Sequence, residues 1–474
     1  MGSFALIAPE VVLLAGAIAV LFVDALYRGR ERAGAWIGVA AALAAAGIAL
    51  AAGRGSIDLF AGQLVVDGPA QVAKVATALL AAVFLLWLAG AGLNRGSIKE
   101  FTALVLFATL GAMLMASARD WVVLLLALET ATMPAYVLMG FDRTDDRSLE
   151  GAMKYFLLSM VSSLLFLYGV SFVVGMSGTT LLTGARLMPG GVGLVAAVFI
   201  FAGLLAKLSA APFQWWSPDA YAGAPAASVA FVSSVPKIGG LIAFAQVVRY
   251  LAPQEPRLLY VLVAGAVLSM LIGNLAAYPQ QDLRRLMAYS GIAHAGYLLV
   301  GLAAAASELS ASAGSATGLV SGPGLTAAVF YSIAYAVPSM AVMLVVAREG
   351  DRLDDLKGLA SRRPAAAWTM VLLLVSLVGV PPLAGFAGKL YLFGSAMSAG
   401  LTWLALFAVV MSVVSAGYYF RIVRAMFFAA PVRASAVTRL SRPVAVALFL
   451  LAAATVVLGI AGSPLLSALG FTLP

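Results

Sequence analysis

Cysteine is missing from all 474 residues, and histidine occurs once, at His294. Disulfides, thiolate-held zinc and cysteine-ligated iron–sulfur clusters are thereby excluded, and a bis-histidine haem with them. If the protein serves a redox enzyme, the electrons travel through other chains. Charge is the next scarcity: 10% of residues carry it, against roughly 25% in soluble domains. A water-facing surface cannot be built from so little. Nor does the sequence hold a Walker motif or a glycine-rich loop placed after a strand. In their place stands apolar bulk, 63% hydrophobic residues with a mean hydropathy of +1.03. The runs are long and unbroken rather than alternating. Each approaches the roughly 20 residues that carry a helix across about 30 Å of hydrocarbon. Only helices and closed barrels satisfy their backbone there, and the lack of alternation selects helices.

An all-α, polytopic membrane fold is therefore predicted. Fourteen spans are read near 5–27, 33–52, 70–93, 98–118, 120–141, 149–175, 192–216, 225–250, 257–278, 282–304, 323–347, 366–398, 403–428 and 443–461. The first lacks the basic flank and small-residue site of a cleavable signal, so it is expected to remain. No loop is long enough for a soluble domain. The net charge of +9 invites a nucleic-acid partner, but the basic residues are scattered over short loops. Nineteen of the 29 Lys and Arg fall in odd-numbered loops, among them Arg28, Arg95, Arg143, Arg284, Arg285, Arg348 and Arg421. The even-numbered loops hold five: Arg54, Arg119, Arg186, Arg249 and Arg257. That asymmetry predicts odd loops inside and both termini outside, with the lipid bilayer and no nucleic acid as partner.

The remaining five, Lys74, Lys154, Lys207, Lys237 and Lys389, fall inside spans. An ionisable group at membrane depth costs a few kcal/mol or more and calls for a reason. Lys74 lies near a span end, where snorkelling to water is the expectation, and its replacement by alanine should be nearly silent. Lys154 sits about five residues inside its helix and can snorkel or function. Glu10 and Asp24 are expected at the interface. Glu129, Lys207, Lys237 and His294 lie about 14–18 Å from the inner surface, at about 1.5 Å per residue, so four helices bring titratable groups toward one level. Lys389 lies beyond the middle of its long span, toward the outside. Prolines accompany the charges (Pro134, Pro212, Pro236, Pro381 and Pro382) and break helices where ion-transporting folds commonly break them. A lysine beside a movable carboxylate can alternately hold and release a proton, which arginine cannot do. His294 suits a proton shuttle, or is simply hydrogen-bonded in a polar pocket.

At these residues the sequence resembles a known family. Residues 207–225, KLSAAPFQWWSPDAYAGAP, resemble the signature of the antiporter-like subunits of respiratory complex I. The SPDAYAGAP part is most similar to the N subunit, counterpart of mitochondrial subunit 2. Residues 149–156 (LEGAMKYF), 285–297 (RLMAYSGIAHAGY) and 381–391 (PPLAGFAGKLY) agree, in order and in the expected spans. The resemblance implies fourteen helices with two inverted five-helix repeats, at 98–251 and 257–428, between N-terminal helices at 1–97 and a last helix at 429–474. Helices seven and twelve would be discontinuous, faintly echoed in LSAAPF at 208–213 against VGVPPLAGF at 378–386. By motif, Glu129 and Lys207 take the family's glutamate–lysine pair, Lys237 the central lysine, Lys389 the exit residue and His294 the family histidine. Lys154 matches a lysine of the sixth helix. Two positions depart: Gln214 stands where histidine is usual, and Gly291 where serine is more usual.

The resemblance implies a proton-translocating membrane subunit of an NADH:quinone oxidoreductase in a bacterial membrane. NAD, FMN, iron–sulfur clusters and quinone would belong to partner subunits, with no cofactor and no metal held here. The nearest alternative is a subunit of a multi-subunit Na⁺/H⁺ antiporter. Further off are a superfamily enzyme fed by ferredoxin or F420, and a purely structural subunit, which would have lost these buried charges.

Overall fold

A helix with no polar period needs surroundings that are apolar on every side, and the chain supplies such helices one after another. The computed structural model describes residues 6–26, 31–52, 56–92, 97–188, 190–311, 322–430 and 440–468. The side chain of Asp24 falls outside these, as do Arg28, Arg54, Arg95 and both chain ends. The first unit comprises α1 (Ala8–Leu26), α2 (Glu31–Ala51) and α3 (Gly68–Ala91). Then follow α4 (Ile98–Ser117), α5 (Trp121–Met139), α6 (Asp146–Ser177), α7 (Gly191–Lys207), α8 (Trp216–Gly223), α9 (Ala226–Val232) and α10 (Val235–Leu251). The next group is α11 (Leu258–Ala277), α12 (Leu283–Ala311), α13 (Pro323–Glu349), the short α14 (Leu359–Arg362), α15 (Pro364–Val378), α16 (Ala384–Ser398) and α17 (Thr402–Phe428), before α18 (Arg442–Ala468) closes the chain. Among the described residues eleven helices are long and apolar enough to cross a membrane. The chain is a multi-pass membrane protein.

One small element departs from the helical pattern. β1 (Ile57–Leu59) and β2 (Leu64–Val66) pair antiparallel between α2 and α3. Their apolar residues Leu59, Leu64 and Val66 form a small cluster with Leu6.

Burial separates centre from rim. In α12, α13 and the α9–α10 pair, 94% of the most apolar stretch is buried within the protein, against 33% in α6 and 28% in α18. Exposed Leu126, Leu157, Leu164 and Phe449 present apolar side chains at the rim, which suits lipid rather than water. α10 lies at the centre, packed against α3, α4, α7, α12 and α13.

Two spans are interrupted. α7 stops at Lys207 and the chain resumes as α8, with a cis Ala211–Pro212 peptide between them. α15 stops at Val378 and resumes as α16, with a cis Pro381–Pro382 peptide between. Gly379 at that break has φ of 95°, a left-handed conformation open to glycine. A Cβ there would meet the Lys389 side chain at 3.0 Å. α9 and α10 are divided too, by Ser233 and Ser234. Pro236 follows at once in the first turn of α10, so the interruption lies beside this proline and Lys237, as the sequence reading expected.

The last helix ties the ends of the sequence together. α18 packs on α3, α13 and α16, and the Ser441 hydroxyl donates to the Gly90 carbonyl at 3.0 Å. Gly459 lies against the second break so closely that a Cβ would fall 2.0 Å from the Pro382 carbonyl oxygen.

Lys74 does not snorkel, and Glu10, in the first turn of α1, is enclosed with it. The two form a 2.7 Å ion pair joining α1 to α3, both side chains at most 4% exposed. Lys74 Nζ also donates to the Leu6 carbonyl at 3.2 Å. Seven residues earlier on α3, the capping Asp67 holds a second buried pair with Arg119 at 2.6 Å. Removing one partner of a buried pair strands the other, at about 3–5 kcal/mol. Lys74→Met should therefore destabilise by about that amount, and Glu10→Gln with Lys74→Met should recover most of it. Thermal unfolding in mild detergent measures both, and a silent single variant would contradict the pairing.

Candidate functional site

The broken helices and their neighbours carry a second set of interior charges, apart from the buried pairs Glu10–Lys74 and Asp67–Arg119. The first cluster lies where α5, α6 and the end of α7 meet. Lys207, the last residue of α7, donates to Ser159 Oγ at 2.7 Å and Thr132 Oγ1 at 3.4 Å. Its Nζ lies 3.7 Å from Glu129 Oε1. Glu129 in turn accepts from Ser163 Oγ at 2.6 Å and Thr132 Oγ1 at 3.3 Å. An ammonium at a helix C-terminus is favoured by the unpaired carbonyls of that end. Pro134, inside α5, removes the N–H that the Thr130 carbonyl would otherwise accept. The carboxylate keeps 24% exposure and the ammonium 8%, so Glu129 is the outer member of the pair.

Lys237 is held otherwise. It lies in the first turn of α10, where backbone N–H groups oppose a positive charge. Among the described residues no carboxylate pairs with it. Its Nζ lies 5.9 Å from the ring centre of Tyr221, a modest cation–π approach. It also borders the space left by Gly291. A Cβ there would be 3.6 Å from Lys237 Nζ and 3.0 Å from the Tyr335 hydroxyl.

His294 sits in a nest of tyrosines from α13 and α17. Nδ1 is 2.7 Å from the Tyr331 hydroxyl and Nε2 is 3.4 Å from that of Tyr419. Tyr335 stacks on the imidazole at 4.5 Å between ring centres. Tyr419 passes its hydroxyl on to Ser290 at 2.5 Å. The imidazole is thus both hydrogen-bonded and flanked by aromatic rings.

Lys389 closes the row. Its Nζ donates to the terminal carbonyls of α15, Leu377 at 3.0 Å and Val378 at 2.8 Å, and to Ser412 Oγ at 2.7 Å. It also lies 4.8 Å from the Tyr297 ring centre, and that ring is 5.6 Å from His294. A cavity of about 320 Å³ opens beside it, lined by Gly379, Phe386, Phe393 and Ser412.

The structure thus brings Glu129 to Lys207, and sets Tyr297 between Lys389 and His294, while Lys237 faces Tyr221. Lys154 stands apart. It is 44% exposed and paired with Glu150 at 2.6 Å and Asp219 at 3.1 Å, and Asp219 also binds Arg285 at 2.8 Å. Gln214 is buried at the first break, and its Oε1 has no partner among the described residues. The sequence reading missed the hydroxyl partners. Their spacing was the available signal: Ser159 with Ser163 and Tyr331 with Tyr335 each recur at i, i+4 on one helix face.

Comparison with known proteins gives a consistent family. Residues 118–415 match the family model described as NADH:quinone oxidoreductase/Mrp antiporter, membrane region. The NADH-quinone oxidoreductase subunit N of Xanthomonas euvesicatoria is 36% identical, across 97% of this chain and 94% of that protein. The subunit of the same name from Rhodospirillum rubrum is 38% identical, across 89% and 87%. Among solved structures, a chain of respiratory complex I from Thermus thermophilus with bound aureothin superposes with a TM-score of 0.82. It is 29% identical, over 97% of this chain and 99% of that one. A chain of the Mrp complex from Dietzia shares the fold with a TM-score of 0.83 at 23% identity, over 99% and 97%.

An interior ammonium without a carboxylate costs stability that an apolar side chain of similar length does not. Lys237→Met is expected to hold or raise the melting temperature of the detergent-solubilised protein. Glu129→Leu, which strands Lys207, is expected to lower it. The opposite order would show that Lys237 is a structural charge.

Proposed function

This chain belongs to the NADH:quinone oxidoreductase/Mrp antiporter membrane family, and from that premise we propose that it is the N-type, proton-translocating membrane subunit of an NADH:quinone oxidoreductase. It holds no redox centre. NAD, FMN, iron–sulfur clusters and quinone belong to partner subunits, and this chain converts their reaction into ion movement. Its membrane is the bacterial plasma membrane, with the arginine-rich loops inside and both termini outside. The eleven long spans, together with the apolar Ala8–Phe22, Gly191–Lys207 and Pro364–Val378, make fourteen crossings. α4 to α10 and α11 to α17 form two inverted repeats, which pairs the break after Lys207 with the break before Lys389.

One observation carries the reading. In a chain so poor in charge, a carboxylate–lysine pair and two lysines with a histidine are enclosed by helices beside serine, threonine and tyrosine side chains. Glu129 and Lys207 form the entry pair, Lys237 is the central store, His294 passes protons between the tyrosines, and Lys389 delivers to the outer side. Lysine fits each place because it can give its proton up once desolvated. Lys154, half-exposed and tied to Asp219, belongs at the inner approach rather than in the row. Membership of an Na⁺/H⁺ antiporter complex is the second reading, favoured only by the shared fold with the Mrp chain.

In the intact complex reconstituted in vesicles, Lys237→Ala and Glu129→Ala should each lower proton pumping at least about tenfold, within the range a positioned proton-transfer group contributes. Assembly should persist in both. Full pumping in both variants would end the relay reading.

A further inference from the structure

α8 is eight residues long and carries no side-chain cap. A helix so short does not hold itself, so its place is set by what it touches. On the side of α6 the backbones nearly meet. A Cβ on Gly151 would lie 3.3 Å from the Asp219 carbonyl oxygen, and one on Gly223 would lie 2.2 Å from that of Arg147. On the side of α12 the grip is ionic. Arg285 reaches the Asp219 carboxylate at 2.8 Å, and its neighbour Arg284 donates at 2.8 Å to the Ala224 carbonyl, at the other end of α8. Asp219, in the first turn, is also paired at 3.1 Å with Lys154 of α6. One carboxylate is therefore shared by cations from the first and the second half of the chain.

What α8 itself touches gives that junction its reach. Trp216 Nε1 donates at 3.0 Å to the carbonyl of Ala206, the residue before Lys207. Its ring stacks on Tyr155 at 4.1 Å, one turn along α6 from the Ser159 hydroxyl that accepts from Lys207. Tyr221, five positions after Trp216, sets its ring 5.9 Å from Lys237 Nζ. A shift of α8 therefore moves the surroundings of both lysines together. Ion pairs this open, with side chains 36–44% exposed, add little to stability. They fix where α8 sits, not whether the protein folds.

We propose that Asp219 is a positioning residue. Shared between Lys154 and Arg285, it sets α8 across the two halves of the chain, and so fits the Tyr221 ring to Lys237 and the Trp216 indole to the helix end that bears Lys207. The proposal rests on the relay reading above. It gives the two halves a joint on the side of the arginine-rich loops, where a movement of α12 reaches both lysines through α8.

In the intact complex in vesicles, pumping is read as protons moved per NADH oxidised, and assembly as recovery of this chain with its partner subunits. Asp219→Asn and Arg285→Gln should each lower pumping at least about twofold, the lower end of what residues coupling two sites contribute, with assembly unchanged. The double variant should lose no more than the worse single one, because both residues act through one junction. Asp219→Glu, which keeps the shared charge, should recover most of the loss. Should Asp219→Asn fail to assemble, Arg285→Gln alone carries the test, and full pumping in it ends the proposal. If Asp219→Asn pumps fully while Glu129→Ala does not, the junction is a surface contact and the proposal fails while the relay stands. Losses that multiply in the double variant would put the two residues on separate routes and end it as well. Asp219→Glu no better than Asp219→Asn would do the same. If Glu129→Ala also pumps in full, relay and joint are overturned together.

Discussion

An ammonium group taken out of water needs something to replace the shell it lost, and much of this fold is arranged around that need. Four lysines find four answers. Lys74 has a carboxylate in contact. Lys207 has two hydroxyls and a carboxylate slightly beyond hydrogen-bond range. Lys389 takes the carbonyls that the end of α15 leaves unpaired, with one serine hydroxyl. Lys237 has an aromatic face and open space. The answers run from fully neutralised to barely compensated. A charge that is fully neutralised is static, whereas one held by dipoles and hydroxyls can be surrendered without leaving an opposite charge stranded.

The helix breaks follow from the same need. An intact helix offers no free carbonyls to a cation, so a chain that keeps lysines inside must end helices inside. At Lys207 the cation belongs to the helix that ends, and at Lys389 it comes from the helix that begins and reaches back. The halves differ again in what stands beside the cation: the first provides glutamate with serine and threonine, and the second provides histidine with tyrosines. Chains of complex I and of an Mrp complex superpose on the overall fold. Within this chain, one scaffold accommodates two local chemistries.

Much of this was legible beforehand. Most long apolar runs are single helices in the structure, because without a water-facing side length and hydropathy suffice to find a span, whereas 192–216, 225–250 and 366–398 are each interrupted. The interior charges stood out for the same reason, being rare. Lys74 was misread because depth along its own span says nothing about a partner on another: Glu10 is 64 positions away and meets it only once α1 and α3 pack. The tyrosines around His294 were invisible for a similar reason. A tyrosine in a membrane helix is unremarkable until the fold aims its hydroxyl. The hairpin escaped because three-residue strands carry too little alternation to register beside long helices. The break expected at Pro236 lies just before it, at two serines whose hydroxyls bond back to α9.

The seam between α3 and α18 has a consequence in time. Ser441 and Gly90 are 351 residues apart, and ribosomes add about 5–20 residues per second. Once the helix that carries Gly90 has been made, some twenty to seventy seconds pass before its companion emerges. Until then the groove awaiting α18 is open to lipid, and the second break, made 77 residues before the Gly459 that later covers it, waits about four to fifteen seconds. The newborn protein must endure a stage in which its most irregular backbone has no cover, and a membrane chaperone or a neighbouring subunit would find its opening in that interval.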